Sequence, residues 1–317
     1  MQGVCIQERD RQDRRLGRDA LAEKWWGFFN FKLLHPLVDV AEGGSIFGAV
    51  YKWSRKAALS PFRPPGAPKI VVAFRGTITK SDTFAGDLKL DLQIVKNGLH
   101  TTARFREAFD AVKKCVCESG PENVWIAGHS LGAAMAMLAG RRIAEEGQFL
   151  EAHLFNPPFF SAPVDRIRSK KVKRGLHVTR NQVAAALAVA LKDKHSRIES
   201  HNAFFALREW VPCLYVNPRD DICSAYVAYF TNQQVMREIG AGRIASLAVR
   251  HSIGELVLSA VGVESKALHR IPSARLTVNL VPAPDFKRAH GIHQWWAPDL
   301  RIQCSECRIS EGPDHLK

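Results

Sequence analysis

The segment Gly128-His129-Ser130-Leu131-Gly132 has the residue types and spacing of a nucleophilic serine site. An apolar run at 124–127 precedes it directly and a run of small residues follows it, so we expect a strand, a tight turn and a helix. Such a turn projects the serine hydroxyl above the end of a sheet, and the flanking glycines let strand and helix pack closely. The backbone N–H of Leu131, at the start of the helix, could donate to a developing oxyanion. We interpret Ser130 as a nucleophile.

A nucleophilic serine needs a base that takes its proton and a carboxylate that orients this base. After a strand–turn–helix element of this kind, the acid and then the histidine follow later in the chain. Segment 217–221 follows one predicted strand and segment 289–293 follows the next, so each stands where a triad partner is expected. The first offers two acids and the second offers two histidines: Asp220 and Asp221, His290 and His293. Chain order favours a Ser-Asp-His triad and leaves both choices open.

The elements that must position these residues alternate between strands and helices. Five short runs of β-branched and other apolar residues predict strands, at 70–74, 124–127, 153–155, 214–216 and 276–280. Apolar spacing predicts helices over 102–115 and 133–146. This alternation indicates an α/β fold with a mostly parallel central sheet and helices on both faces. We expect a single domain over residues 1–317, with a cap or insert region within it at 160–205.

A family resemblance rests on motifs that occur in a fixed order. Phe74-Arg75-Gly76-Thr77 ends the first predicted strand, Gly86-Asp87-Leu88 follows, then a helix, then the Ser130 motif. This order resembles the class 3 lipases, which have the α/β-hydrolase fold. The chain is also similar to a plant subgroup of lipase-like α/β-hydrolases through segments 25–34, 45–53, 217–226 and 289–300, so the resemblance covers nearly the whole sequence. Members of that subgroup are sometimes labelled GDSL esterases, although Gly-Asp-Ser-Leu does not occur here.

The resemblance implies a serine carboxylic-ester hydrolase, a lipase or esterase that acts on acyl lipids or related esters. It selects Asp220 as the triad acid and His290 as the base, and it places Thr77 beside Leu131 in the oxyanion hole. No metal and no organic cofactor is implied. A second hypothesis stays open, in which a lipase-like scaffold binds an acyl ligand or a protein partner in signalling and turns over little.

Composition and charge restrict the class of protein. The 317 residues carry 45 Lys+Arg and 31 Asp+Glu, a formal charge of +14, which favours phosphate-bearing surfaces without selecting lipid or nucleic acid. No apolar run approaches the ~20 residues that span a bilayer, and charges at the amino terminus disfavour a signal peptide. We therefore expect an intracellular, cytoplasmic protein. The seven dispersed cysteines indicate reduced thiols, and the lone Cys304-x-x-Cys307 pair does not predict a metal site.

Two segments of the 160–205 region have unusual compositions. Segment 166–174 (RIRSKKVKR) holds six basic residues in nine. It is either a solvated loop or a peripheral contact with an anionic membrane surface, and we expect no nucleic acid because no stacking aromatic set accompanies it. Segment 182–191 (QVAAALAVAL) is apolar on nearly every face, which is typical of a buried helix and also suits the wall of an acyl pocket. The oligomeric state is left open by the sequence.

Overall fold

The computed structural model describes residues 2–13, 25–40, 43–54, 63–77, 99, 102–159, 206–238 and 271–308. The predicted cap region at 160–205, with its basic and apolar segments, lies outside these residues, and so does Gly86-Asp87-Leu88. The single-domain expectation therefore stays a prediction. Among the helices in the described ranges, none has the length and apolar content to cross a membrane.

One eight-stranded sheet forms the centre of the molecule, and its strands lie side by side in chain order. The first three strands pair antiparallel, β3 to β7 pair parallel, and β8 returns antiparallel to β7. The strands are β1 (Phe31–Asp39), β2 (Ser45–Trp53), β3 (Ile70–Phe74), β4 (Val124–His129), β5 (Glu151–Phe155), β6 (Cys213–Val216), β7 (Ala274–Asn279) and β8 (Ile302–Cys307). The five strands predicted from the sequence are the five parallel strands, so the prediction of a mostly parallel sheet is confirmed.

Helices cover both faces of the sheet, as the sequence predicts. On one face, α3 (Ala103–Ser119), α4 (Leu131–Glu145) and α5 (Ala225–Glu238) bury the main apolar core. On the other face, Val4 of α1 (Gln2–Gln12) packs against Ala49, Tyr51 and Ala73, and the short α2 (Trp25–Phe28) lies beside it. The fold is α/β throughout.

The segments that carry the predicted site residues follow strand ends at one edge of the sheet. Thr102 caps α3 by accepting a hydrogen bond from the Phe105 amide at 3.1 Å. After β7, the chain forms α6 (Phe286–His290) and a 3₁₀ helix (Ile292–Trp296). Because the carboxyl ends of parallel strands meet at one edge, the segments that follow β4, β5, β6 and β7 are neighbours there.

Beyond α1, the sheet face that this helix covers carries polar side chains. Four side chains in register cross from β5 to β8 and form what we call the polar row: His153, Cys213, Arg275 and Glu306. Arg275 pairs with Glu306 within the row, at 3.8 Å, and with Glu151 beside it, at 3.4 Å. The same sheet face is therefore apolar under α1 and polar along this row.

Candidate active site

The turn between β4 and α4 has the strained geometry of a nucleophile elbow. Ser130 has φ 55° and ψ −122°, in the left-handed half of the map that a residue with a side chain rarely adopts. A Cβ on Gly128 would lie 2.1 Å from the Gly132 carbonyl oxygen, and one on Gly132 would lie 2.5 Å from the Phe74 oxygen. Both positions thus require glycine, because β4, α4 and the end of β3 approach each other too closely for any side chain.

The segment after β3 passes directly beside the serine. A Cβ on Gly76 would lie 3.0 Å from the Cβ of Ser130, and Thr77 follows as a partly buried residue. Leu131 is buried in the first turn of α4. The structure therefore places the segment that carries Thr77 and the helix start at Leu131 next to Ser130.

One acid and one histidine meet close to this turn, since the His290 carbonyl oxygen lies 2.7 Å from Nε2 of His129. His290, the last residue of α6, donates from Nδ1 to Oδ2 of Asp220 at 2.8 Å, and both side chains are buried. Asp221 and His293, the alternatives that the sequence left open, have solvent-exposed side chains. The Ser130 hydroxyl is buried, and it forms no hydrogen bond with any described residue, His290 included. Catalytic hydrogen bonds of this kind commonly tighten only when substrate binds.

Asp220 is surrounded by donors. Its Oδ1 accepts from the Ile222 amide at 3.0 Å, and its Oδ2 accepts from Asn156 at 2.7 Å and from the Cys223 thiol at 3.1 Å as well as from His290. Burial alone would raise the pKa of Asp220, but the hydrogen bond and charge of His290, with the other donors, hold that pKa below its ordinary value. The carboxylate is therefore ionised at neutral pH.

Asn156 is a site residue that the sequence did not reveal. It follows β5 with φ 48°, and its amide nitrogen donates to Asp220 and to the Ala289 carbonyl at 3.1 Å. Its amide oxygen accepts from the indole N–H of Trp295 at 2.9 Å. In the sequence, Asn156 before two prolines indicates only the end of a strand. One buried side chain thus holds the acid, the residue before His290, and the 3₁₀ helix.

Gln294 joins the same loops from the other side. Its Oε1 accepts from Asn217 at 2.7 Å and from Asn279 at 3.0 Å, at the ends of β6 and β7. Its Nε2 donates to the carbonyls of Ala289 at 2.6 Å and Gly291 at 3.1 Å. The backbone on both sides of His290 is therefore tied to the strands that carry the acid loop.

His129, the second residue of the serine motif, also supports His290. Its Nε2 donates to the His290 carbonyl oxygen at 2.7 Å, and the two rings lie 5.0 Å apart. Burial, together with the charge of His290, lowers the pKa of His129 to about 3, which outweighs the opposite effect of that hydrogen bond. The ring is neutral at physiological pH and acts as a fixed donor.

Arg75 connects the segment beside Ser130 to the amino-terminal helix. Its guanidinium donates to the carbonyls of Gly76, at 2.7 Å, and Ile46, and to the hydroxyl of Ser45 at 2.7 Å. Buried Glu8 of α1 accepts from that same hydroxyl at 3.2 Å and from the Ile46 amide at 2.8 Å. A chain of polar contacts thus runs from α1 to the backbone beside the nucleophile.

Known proteins resemble this chain in sequence and, weakly, in structure. The class 3 lipase family model matches residues 71–164. A protein of Arabidopsis thaliana named GDSL esterase/lipase is 43% identical over 313 residues, which cover 96% of this chain and 88% of that protein.

Two solved esterase structures align over much of the chain. The esterase of Pyrobaculum calidifontis has a TM-score of 0.33 and 14% identity, over 75% of this chain and 86% of that one. An esterase/lipase from an uncultured bacterium has a TM-score of 0.31 and 10% identity, over 82% of this chain and 99% of that one. These scores are too low to place individual residues.

Proposed function

This chain belongs to the class 3 lipase family, in a plant lipase-like subgroup, and from that premise we propose that it is a serine hydrolase that cleaves carboxylic esters of acyl lipids. The observation that carries the proposal is the buried Asp220–His290 pair close to the strained Ser130 turn. A serine in a strained strand-to-helix turn, with an imidazole held by an ionised carboxylate nearby, is the arrangement that activates a hydroxyl for acyl transfer.

In the acylation step, Ser130 Oγ attacks the ester carbonyl carbon while Nε2 of His290 takes the hydroxyl proton. The carbonyl oxygen becomes an oxyanion that the backbone N–H of Leu131 and the N–H and hydroxyl of Thr77 stabilise. Collapse of the tetrahedral intermediate breaks the ester C–O bond, and His290 returns the proton to the leaving alcohol. Asp220 keeps the proton-bearing Nδ1 of His290 oriented and stabilises the imidazolium.

In the deacylation step, water attacks the acyl-enzyme with the same histidine as base, which releases the fatty acid and restores Ser130. Nothing in these steps calls for a group beyond the chain's own side chains and one water molecule. The supporting residues divide the work: Asn156 and Cys223 hold the acid, and His129, Gln294 and again Asn156 hold the backbone at or beside the base.

Labelling with a fluorophosphonate probe tests the proposal directly. We expect the purified full chain to be labelled, and Ser130→Ala and His290→Ala to lose the label. His293→Ala is the matched control and should keep it, because His293 is a surface residue of the neighbouring helix. Folded wild-type protein that takes no label, and does not cleave p-nitrophenyl esters of graded chain length, would favour the binding scaffold instead.

A substitution at Thr77 separates its two suggested contributions. If its hydroxyl donates to the oxyanion, Thr77→Ala should lower kcat by about 10²–10³-fold, and Thr77→Ser should restore most of it. Unchanged turnover in Thr77→Ala would remove the side chain from the mechanism and leave only the backbone N–H.

A further inference from the structure

Three side chains that bind metals well lie together on the polar half of the sheet, on two neighbouring strands. Glu151 and His153 belong to β5 and Cys213 begins β6, and one ligand atom from each lies within 4.8 Å of the other two. We propose that these three residues form a binding site for a borderline-soft divalent cation of the zinc class. Carboxylate oxygen, imidazole nitrogen and thiolate sulfur are the ligand atoms that zinc prefers.

The separations suit a shared tetrahedral ion. The Cys213 sulfur lies 3.4 Å and His153 Nε2 lies 3.8 Å from the same oxygen, Oε1 of Glu151. Tetrahedral ligands at usual zinc bond lengths are about 3.3–3.6 Å apart, the larger value for pairs that include sulfur. Small side-chain adjustments would therefore close the site, with a fourth position left to water.

The histidine is already oriented as a ligand. Its Nδ1 lies 3.0 Å from the hydroxyl of Tyr215, and donation from Nδ1 to that oxygen leaves the lone pair on Nε2. Nε2 is buried and has no hydrogen-bond partner in the part of the chain that the structure describes. Metal-binding histidines are usually fixed in this way through their second nitrogen.

Arg275 now supplies the positive charge at this cluster. Its Nη1 donates to Oε1 of Glu151 at 3.4 Å and to the sulfur of Cys213 at 3.3 Å. It forms no hydrogen bond with Nε2 of His153. The arginine side chain is half exposed, and Glu306 lies 3.8 Å from it on the other side. A bound ion would contact all three ligands while Arg275 turns to Glu306.

Binding must release a proton, so its affinity depends on pH. The Cys213 thiol donates to Oε1 of Glu151 at 3.4 Å, and its proton leaves to solvent as the sulfur–metal bond forms.

This site is separate from the candidate active site. Glu151 and Cys213 are the first residues of β5 and β6, whereas Ser130, Asn156 and Asp220 follow the carboxyl ends of their strands. An ion here would join two adjacent strands at their amino ends. The Cys304-x-x-Cys307 pair differs, because residues three apart on a strand point to opposite faces of the sheet.

Zinc titration of the metal-free full chain, in competition with a chromophoric chelator, tests the site. We expect one equivalent of Zn²⁺ to bind, with at least about 100-fold loss of affinity in His153→Gln and Cys213→Ser. Tyr215→Phe should bind about 10–100-fold more weakly, and Arg275→Gln more tightly, because the competing cation is gone. Co²⁺ should give a thiolate charge-transfer band that Cys213→Ser removes.

The control is Cys304→Ser/Cys307→Ser, which removes the other thiol pair and should bind zinc like the wild type. Circular dichroism of each variant establishes that it is folded. Failure of the folded wild type to bind, binding that only the Cys304/Cys307 control loses, or binding that all variants retain would each overturn the proposal. None of these results depends on ester hydrolysis.

Discussion

Two groups of a histidine, a carboxylate and a cysteine lie in different parts of the same sheet, and they are built differently. At the carboxyl ends, His290 contacts Asp220 directly, and Cys223 donates to the same carboxylate oxygen. At the amino ends, Glu151 faces an arginine while His153 contacts a tyrosine.

The difference lies in what Nδ1 of the histidine touches. Next to a buried carboxylate, the imidazole is supported whenever it gains a proton, which suits a general base. A neutral phenol, whose pKa burial raises to about 12, offers the ring no countercharge, so the neutral form is favoured there, which suits a metal ligand. Residue types alone therefore do not set the chemistry of either group.

Replacing the carboxylate of each group by its amide should give the largest difference in activity between the two groups. Asp220→Asn should lower kcat for ester hydrolysis by about 10⁴-fold, because the amide no longer stabilises the imidazolium and favours the wrong tautomer. Glu151→Gln should leave hydrolysis unchanged, since it lies at the other end of the strands. Steady-state kinetics on a p-nitrophenyl ester measure both, and an Asp220→Asn enzyme within tenfold of wild type would contradict the assignment.

Removing the side chain of Asn156 tests the support around the acid. Asn156→Gly keeps the left-handed backbone accessible and removes the donors to Asp220 and to the Ala289 carbonyl. We expect kcat to fall by about 10–100-fold with KM little changed, and stability to fall by about 1–3 kcal/mol. Tyr215→Phe, the corresponding support of the other group, should not alter hydrolysis. A rise in KM at constant kcat would argue against a positioning role.

His129 offers a test that depends on pH. His129→Leu should lower kcat about tenfold, the effect of one hydrogen bond, whereas His129→Gln keeps an N–H donor and should recover most activity. Since the folded pKa is about 3 and lies below that of the unfolded chain, the unfolded state binds the extra proton. Between pH 6.5 and 5 the wild type should therefore lose about 1–2 kcal/mol of stability relative to His129→Gln. If the free energies of unfolding of the wild type and His129→Gln differ by the same amount at both pH values, this expectation is contradicted.

The smallest effect is expected at the cysteine of each group, Cys223 and Cys213. Cys223→Ala removes only a weak thiol donor from Asp220, so we expect about a threefold fall in kcat. Cys213→Ala should give wild-type hydrolysis.

Burial, then the charge of Asp220, raises the pKa of Cys223 well above its ordinary value. We therefore expect this thiol to resist alkylation in the folded protein, which mass spectrometry can follow.

The parallel part of the fold could be predicted from sequence because each buried strand is a short run of apolar residues, such as Ile70–Phe74. The two edge strands, β1 and β8, carry no such signal. β1 contains Pro36 and has a mostly exposed burial pattern, and β8 is almost entirely exposed. Edge strands of this kind are stabilised by pairing with a neighbour, so their own residues show little alternation.

The candidate site shows the same division. The Ser130 motif is local in sequence, so its strained turn could be predicted from its glycines. The choice of Asp220 and His290 came from a resemblance, and the structure places these two together. Asn156 and Gln294 gave no signal, because their partners lie 64 and 77 residues away in the chain. An isolated polar residue reveals a long-range contact only once the strands are aligned.

The polar chain from Glu8 through Ser45 to Arg75 and the Gly76 carbonyl has a consequence for engineering. Residues 2–12 lie far upstream of the segment that defines the family, and a designer trimming the protein would treat them as dispensable. Deleting them, or grafting a relative's amino-terminal segment in their place, would instead remove the contacts that support the backbone beside Ser130. Chimeras of this family should therefore exchange the amino-terminal helix and the segment around Arg75 as one unit.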